Sequence, residues 1–229
     1  MNLRAKFVIS IGLLGLLCLV PGSLRADTIV GTHNSNNCIP FNCAAANGIT
    51  TYEQVYASSA FTGVTSFNQI SFPLAIAGSL DSGTYTIHFS YTSQSVDGLN
   101  PTNLSANIGT GEALFGSYAL GGAAPPTFVG NTFTYDPSMG NLLMIVTVSG
   151  AIDSSNFGSE QMDATGTLTS RAYNTEPGTP ADSDVGLVTN FSVATSEPSD
   201  LLLLGAGLLG LLLLAARSKR HAPPTSCIS

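Results

Sequence analysis

Between residues 27 and 195 the chain carries two histidines, His33 and His88, and no lysine. Nucleophilic catalysis needs a base beside the nucleophile, so these two imidazoles are the whole supply for such a mechanism. His88 lies on the polar side of an alternating stretch and is read as a surface or hydrogen-bonded residue. His33, near the start of the segment, has the same reading. Glycoside hydrolysis needs two facing carboxyl groups. Twelve acidic residues are available in this segment. Glu53 stands out, set between Tyr52 and Tyr56 in a run of β formers. The expectation for it is a solvent-facing position on a half-buried strand, and no catalytic residue is assigned.

Calcium takes several oxygens from clustered carboxylates, amides and carbonyls. The candidates are Asp182 and Asp184, and the set Asp153, Asn156, Glu160 and Asp163. Neither group has EF-hand spacing or a glycine-rich calcium repeat. Both are read as solvated turns, and no metal or other cofactor is assigned. Cys38 and Cys43 are the only cysteines of the segment. In an oxidising compartment an isolated pair is the simplest disulfide framework, and closing so short a loop is worth ~2 kcal/mol. The alternative, a metal site, has only His33 nearby. Tryptophan is absent. Tyr118, Tyr135 and Tyr173 remain as stacking platforms for a sugar, although tyrosines on strands are usually packed. No phosphate-cradling glycine loop precedes a helix, and no basic aromatic patch is present.

The elements that must position these groups are strands. Residues 83–92 alternate strictly, with Tyr85, Ile87, Phe89 and Tyr91 on one face and Thr84, Thr86, His88 and Ser90 on the other. Asp81, Ser82 and Gly83 before them read as a turn. Further strands are expected over 50–57, 64–74, 113–120, 128–135, 142–148, 162–172 and 185–193. The stretch 142–148 is apolar until Thr147 and reads as a central strand covered on both faces. The stretch 162–172 reads as nearer an edge. In the last strand Val185, Leu187, Phe191 and Val193 fall in phase. Loops are expected at 34–48, at the polar stretch 95–111, at 121–126 and at 175–184. No helix-period stretch separates the strands. The expected fold is all-β, an antiparallel two-sheet sandwich, jelly-roll-like. Its core should include Ile87, Phe89, Leu142, Met144, Val146, Leu187 and Phe191.

Both ends of the 229-residue chain have a different composition. Arg4 and Lys6 precede an apolar run over 7–20, which Pro21 and Gly22 break. That is a secretory signal peptide over 1–26, cut after Ala26. The remainder, 27–195, is long enough for one well-buried domain. Twelve of the 14 acidic residues and one of the seven basic residues, Arg171, fall there, a formal net charge of −11. Such a surface argues against nucleic acid and against anionic membranes as partners. At the other end, 201–216 is 16 residues without a charge. As a helix it is ~24 Å long, close to a hydrocarbon core ~30 Å thick. Arg217, Lys219 and Arg220 follow directly and predict a cytoplasmic C-terminus over 217–229.

The polar motif Ser196-Glu197-Pro198-Ser199-Asp200, the Leu/Gly/Ala run and the basic cluster together resemble the C-terminal sorting signal of the PEP-CTERM family of bacterial exported proteins. The resemblance covers 196–229: motif 196–200, transmembrane helix 201–216 and basic tail. Ser196 stands where the family has its first proline, and the chain runs nine residues past Arg220. Tyr52-Glu53-Gln54-Val55-Tyr56 and Phe133-Thr134-Tyr135-Asp136-Pro137 also look like recurrent segments of short members. The resemblance implies two processing partners, signal peptidase and the membrane peptidase exosortase. It implies export across the inner membrane, anchoring by the C-terminal helix, and release to the cell surface or extracellular matrix. An association with exopolysaccharide is implied in the same way. The expected function is therefore a non-enzymatic exported surface or matrix protein. A carbohydrate-binding module is the alternative, and a glycoside hydrolase is the third reading. A hydrolase would require a cleft with convergent carboxylates or a histidine.

Overall fold

A computed structural model describes residues 27–193 apart from 64, 124–125, 157, 166 and 176–178, together with Gly207, and gives backbone alone for 179–183. The expected signal peptide, the sorting motif at Ser196, Glu197 and Pro198, the apolar run 201–216 (Gly207 apart) and the basic cluster Arg217, Lys219 and Arg220 lie outside the described residues. Among the described residues no helix is long and apolar enough to cross a membrane.

The described chain is all-β, and its paired strands are antiparallel. The first seven are β1 (Thr28–Val30), β2 (Ser35–Asn37), β3 (Ile49–Tyr56), β4 (Thr65–Ser71), β5 (Leu74–Ile76), β6 (Leu80–Thr92) and β7 (Ala113–Gly122). There follow β8 (Thr127–Tyr135), β9 (Asn141–Ile152), β10 (Ser159–Asp163), β11 (Thr169–Thr175), β12 (Thr179–Ser183), β13 (Gly186–Leu187) and β14 (Thr189–Ser192). Six strands pair in the order β12-β11-β3-β9-β6-β7, and four in the order β1-β14-β4-β8. A third, small sheet runs β13-β10-β2, with β5 also paired to β10.

The alternation in β6 lands as expected: Tyr85, Ile87 and Phe89 are fully buried and Thr84 is exposed. These inward side chains meet the four-stranded sheet through aromatic rings. Phe67 on β4 packs edge-on against Phe89 at 5.0 Å, and Phe191 on β14 against Tyr56 on β3 at 5.1 Å. Such ring pairs add ~1 kcal/mol each beyond their burial. Strand β9 is covered on both faces. Leu142, Met144 and Val146 join the main core, while Leu143 and Ile145 join a second cluster with Val55, Leu99 and Ala172. All seven expected core residues are buried.

Several sequence expectations change. The expected loop 34–48 holds β2, paired with β10, and the expected strand 64–74 divides into β4 and the start of β5, which pair in different sheets. The turn at 81–83 is part of β6, where the register slips between Leu80 and Gly83. Asp81 is buried there and accepts from Ala45 N at 2.9 Å and Ser154 N at 3.1 Å. Gly83 takes φ +152°, and a Cβ on it would lie 3.1 Å from the Ala151 Cα, so turn residues here make a bulge. The stretch 162–172 is two strands in different sheets, β10 and β11, and β11 is not at the edge. The edge is β12, inside the expected loop 175–184, where Asp182 pairs with Ala172. The last expected strand divides into β13 and β14, so Leu187 and Phe191 are buried in different sheets while Val193 is exposed.

Candidate binding cleft

On the outer face of the six-stranded sheet, antiparallel register lines up two rows. Ala172, Glu53, Ile145 and His88 lie opposite one another on β11, β3, β9 and β6. The next row is Asn174, Thr51, Thr147, Thr86 and Ser117, reaching β7. Directly opposed residues share a face, so both rows point outward. Neighbouring strands are ~4.8 Å apart, which sets Glu53 and His88 ~10 Å apart at their backbones, with Ile145 between.

The loop 93–112 crosses this face. Its 3₁₀ turn at Leu104–Asn107 and the flanking Leu99 and Ile108 cover Val55, Leu143 and Ile145. Gly109 returns the chain to β6, donating to Tyr91 O at 2.9 Å. A Cβ at Gly109 would lie 2.5 Å from that oxygen, so the approach requires glycine. Asp97 N donates to Ser170 Oγ at 2.7 Å and ties the loop to β11. Asn107 is buried at the centre. Its Oδ1 accepts from Asn100 N at 2.7 Å, and its Nδ2 donates to Asn100 O at 3.1 Å and to Glu53 Oε2 at 2.7 Å.

Loop and sheet enclose a cleft of about 480 Å³. Its floor is Glu53, Ile145, His88 and the threonine row; residues 101–105 and Ile108 form one wall, and Glu112 stands beside His88. Glu112 Oε1 lies 2.8 Å from His88 Nδ1. Glu53 is only 1% exposed, which corrects the solvent-facing expectation. Burial pushes its carboxyl up to about 7, against the opposing pull of the Asn107 amide. The group can therefore donate or accept a proton at neutral pH. No signal in the sequence places Asn107 over Glu53, because the contact joins residues 54 positions apart across an irregular loop.

The other sequence candidates are not brought together. Asp184 is exposed, and among the described residues no group of three or more His, Cys, Asp or Glu could hold a metal. Asp163 is committed to Thr32 N and to Thr165. Burial alone would raise its carboxyl, but these hydrogen bonds outweigh it and the group is lowered. The sulfurs of Cys38 and Cys43 are bonded at 2.03 Å. The three tyrosines form no stacking platform. Tyr118 packs on Phe128 at 4.9 Å, Tyr135 is buried, and Tyr173 lies under the Arg171 guanidinium at 5.5 Å.

A second polar group lies in the interior. Glu160 on β10 is fully buried and accepts from the Asn42 amide, and burial drives its carboxyl well above the usual range. Arg171 on β11 is buried near it and lowers that value in part. This pair is closed to solvent and belongs to the packing of the small sheet on the large one.

No family model matches the chain, and neither a curated protein nor a solved structure matches it.

Proposed function

We propose that the chain is a non-enzymatic exported protein of the cell surface or extracellular matrix, delivered by an exosortase-type C-terminal signal. The observation that carries this reading is the three-part tail: Glu197-Pro198, sixteen uncharged residues over 201–216, then Arg217, Lys219 and Arg220. The exported part is a two-sheet antiparallel sandwich, jelly-roll-like, with β13 of the small sheet next to β3 and β11. The Cys38–Cys43 bond supports an oxidising compartment. Signal peptidase and exosortase are its processing partners, and the inner membrane holds it until cleavage. One tag after Asp27 and one after Ser229 test this. The tags should separate in a host carrying exosortase and stay together when Glu197 and Pro198 are both replaced by alanine. An intact wild-type chain in that host rejects sorting and leaves 201–216 as a plain anchor.

A second reading, a carbohydrate-binding module, draws on the outer cleft. Its floor of hydroxyl, carboxyl and imidazole groups matches the hydrogen-bonding needs of a sugar. Exopolysaccharide is then the partner class.

A further inference from the structure

The polar groups of the cleft are one-sided in charge. Glu53 and Glu112 line it, and none of its lining residues is lysine or arginine. The single cation between 27 and 195, Arg171, is buried on the inner face. Nor is any lining residue Phe, Tyr or Trp, so a neutral sugar finds no ring to stack on. What the cleft does offer is acceptors. Glu53 lies at the floor with Oε2 held by Asn107, and its Oε1 takes no hydrogen bond from the described residues. Beside it are the hydroxyls of Thr51 and Thr147, one row away on β3 and β9.

We propose that this cleft holds its ligand through a primary ammonium group, seated on Glu53 and the adjacent threonine hydroxyls, and that the ligand is an amine-bearing sugar. An ammonium group has three N–H donors and no acceptor, which fits a carboxylate flanked by hydroxyls. The carboxylate form of Glu53 is disfavoured by burial, and an incoming cation reverses that preference. Binding at neutral pH therefore expels a proton from Glu53 as the ion pair forms. The −11 charge of the domain steers cations toward it from solution. Thr86 Oγ1 is hydrogen-bonded to Ser117, Ser105 Oγ donates to Asn103 and Asn174 Oδ1 accepts from Thr50, which leaves the spare lone pairs of the two hydroxyls and the Asn174 amide N–H for sugar hydroxyls along the cleft. A linear polyamine shares the ammonium but has no hydroxyls to use them. The inference deepens the carbohydrate-binding reading and rests on it.

The test uses the full chain in a neutral detergent and three probes: a glucosamine oligomer, its N-acetylated counterpart, and spermidine. Calorimetry should find the free-amine oligomer bound at least about tenfold more tightly than the acetylated one. At about pH 5.5, where the amines of the oligomer are already charged and Glu53 still holds its proton, the heat should differ between buffers of different ionisation enthalpy, because the proton that leaves Glu53 passes to the buffer; this readout needs no variant. Glu53→Gln should weaken the amine oligomer roughly 10- to 100-fold. Equal binding of the two oligomers overturns the ammonium and leaves the carbohydrate reading standing. Binding of neither overturns both. Unchanged affinity in Glu53→Gln, or a heat independent of buffer at about pH 5.5, removes Glu53 from the site. Spermidine bound as tightly as the amine oligomer overturns the sugar as ligand.

Discussion

Replacing Glu53 by glutamine should abolish a fall in stability that wild type suffers between mildly acid and neutral pH. The ordinary glutamate value is 4.5, and burial pushes Glu53 up to about 7. Below pH 4.5 both the folded and the unfolded chain are protonated there, and stability is greatest as far as this group is concerned. As pH rises toward 7 the unfolded chain loses the proton and the folded chain keeps it. The unfolded state then binds fewer protons, so stability falls with rising pH. The interval from 4.5 to about 7, at ~1.36 kcal/mol per pH unit, is worth ~3 kcal/mol. Glutamine keeps an acceptor for Asn107 and carries no charge. His88 from β6 and Glu112 beside it share the cleft, Asp97 lies in the covering loop, and Glu160 is also raised by burial. All four are common to both proteins, so their titrations largely cancel in the difference. Urea titrations of residues 27–195, followed by circular dichroism, should place the variant ~3 kcal/mol above wild type at pH 8 and within ~1 kcal/mol of it at pH 4. Parallel stability curves from pH 4 to pH 8 would refute the buried, protonated carboxyl.

Three further outcomes follow from the same geometry. Ile87→Asp places an unpaired charge in the main core and should destabilise by several kcal/mol, read as a lost or sharply lowered melting transition. Asn107→Ala removes the amide donor of Glu53 and the acceptor of Asn100 N; it should cost ~2 kcal/mol and speed hydrogen exchange in the loop over the outer face. Cys38 and Cys43 should both resist thiol labelling of the exported protein until a reductant is added, and labelling of both without it would show them free.

What the sequence reveals about the fold is its periodicity. Strict alternation identifies β6 and its inward face, and the continuous apolar run identifies β9 as buried on both sides. Where strands are short the pattern gives way to pairing partners that lie far along the chain. Leu187 and Phe191 have one phase but belong to different sheets: Leu187 pairs with Met162 on β10, and Phe191 with Thr28 on β1 and Ile70 on β4. The turn residues Asp81, Ser82 and Gly83 are locally indistinguishable from a hairpin. Only the backbone amides of Ala45 and Ser154, which Asp81 satisfies, make them a bulge inside a strand. The cleft is half visible in the sequence. Glu53 and His88 stand out on separate strands, and register sets them in one row. The polar stretch 95–111 hides its role because its buried residues Leu99 and Asn107 and its half-buried Leu104 and Ile108 follow no single period.

Glu53 and Glu160, the two buried glutamates, stand differently toward Arg171, the one basic residue between 27 and 195. Glu160 has Arg171 near it, yet burial still dominates and its carboxyl stays well above the usual range. Glu160 Oε2 and the Arg171 Nε and Nη1 find no hydrogen-bond partner among the described residues, so the attraction between the two groups only partly offsets their burial. Glu53 has no such cation. Its only strong partner is a neutral amide, which satisfies one oxygen without supplying charge. A carboxyl in that state is stable while protonated, and its ionised form is stabilised by whatever positive group enters from the open side. One raised carboxyl is therefore enclosed in the interior, on β10 of the small sheet, and the other lies on the outer face of the six-stranded sheet. The outer one lies where loop 93–112 leaves an opening.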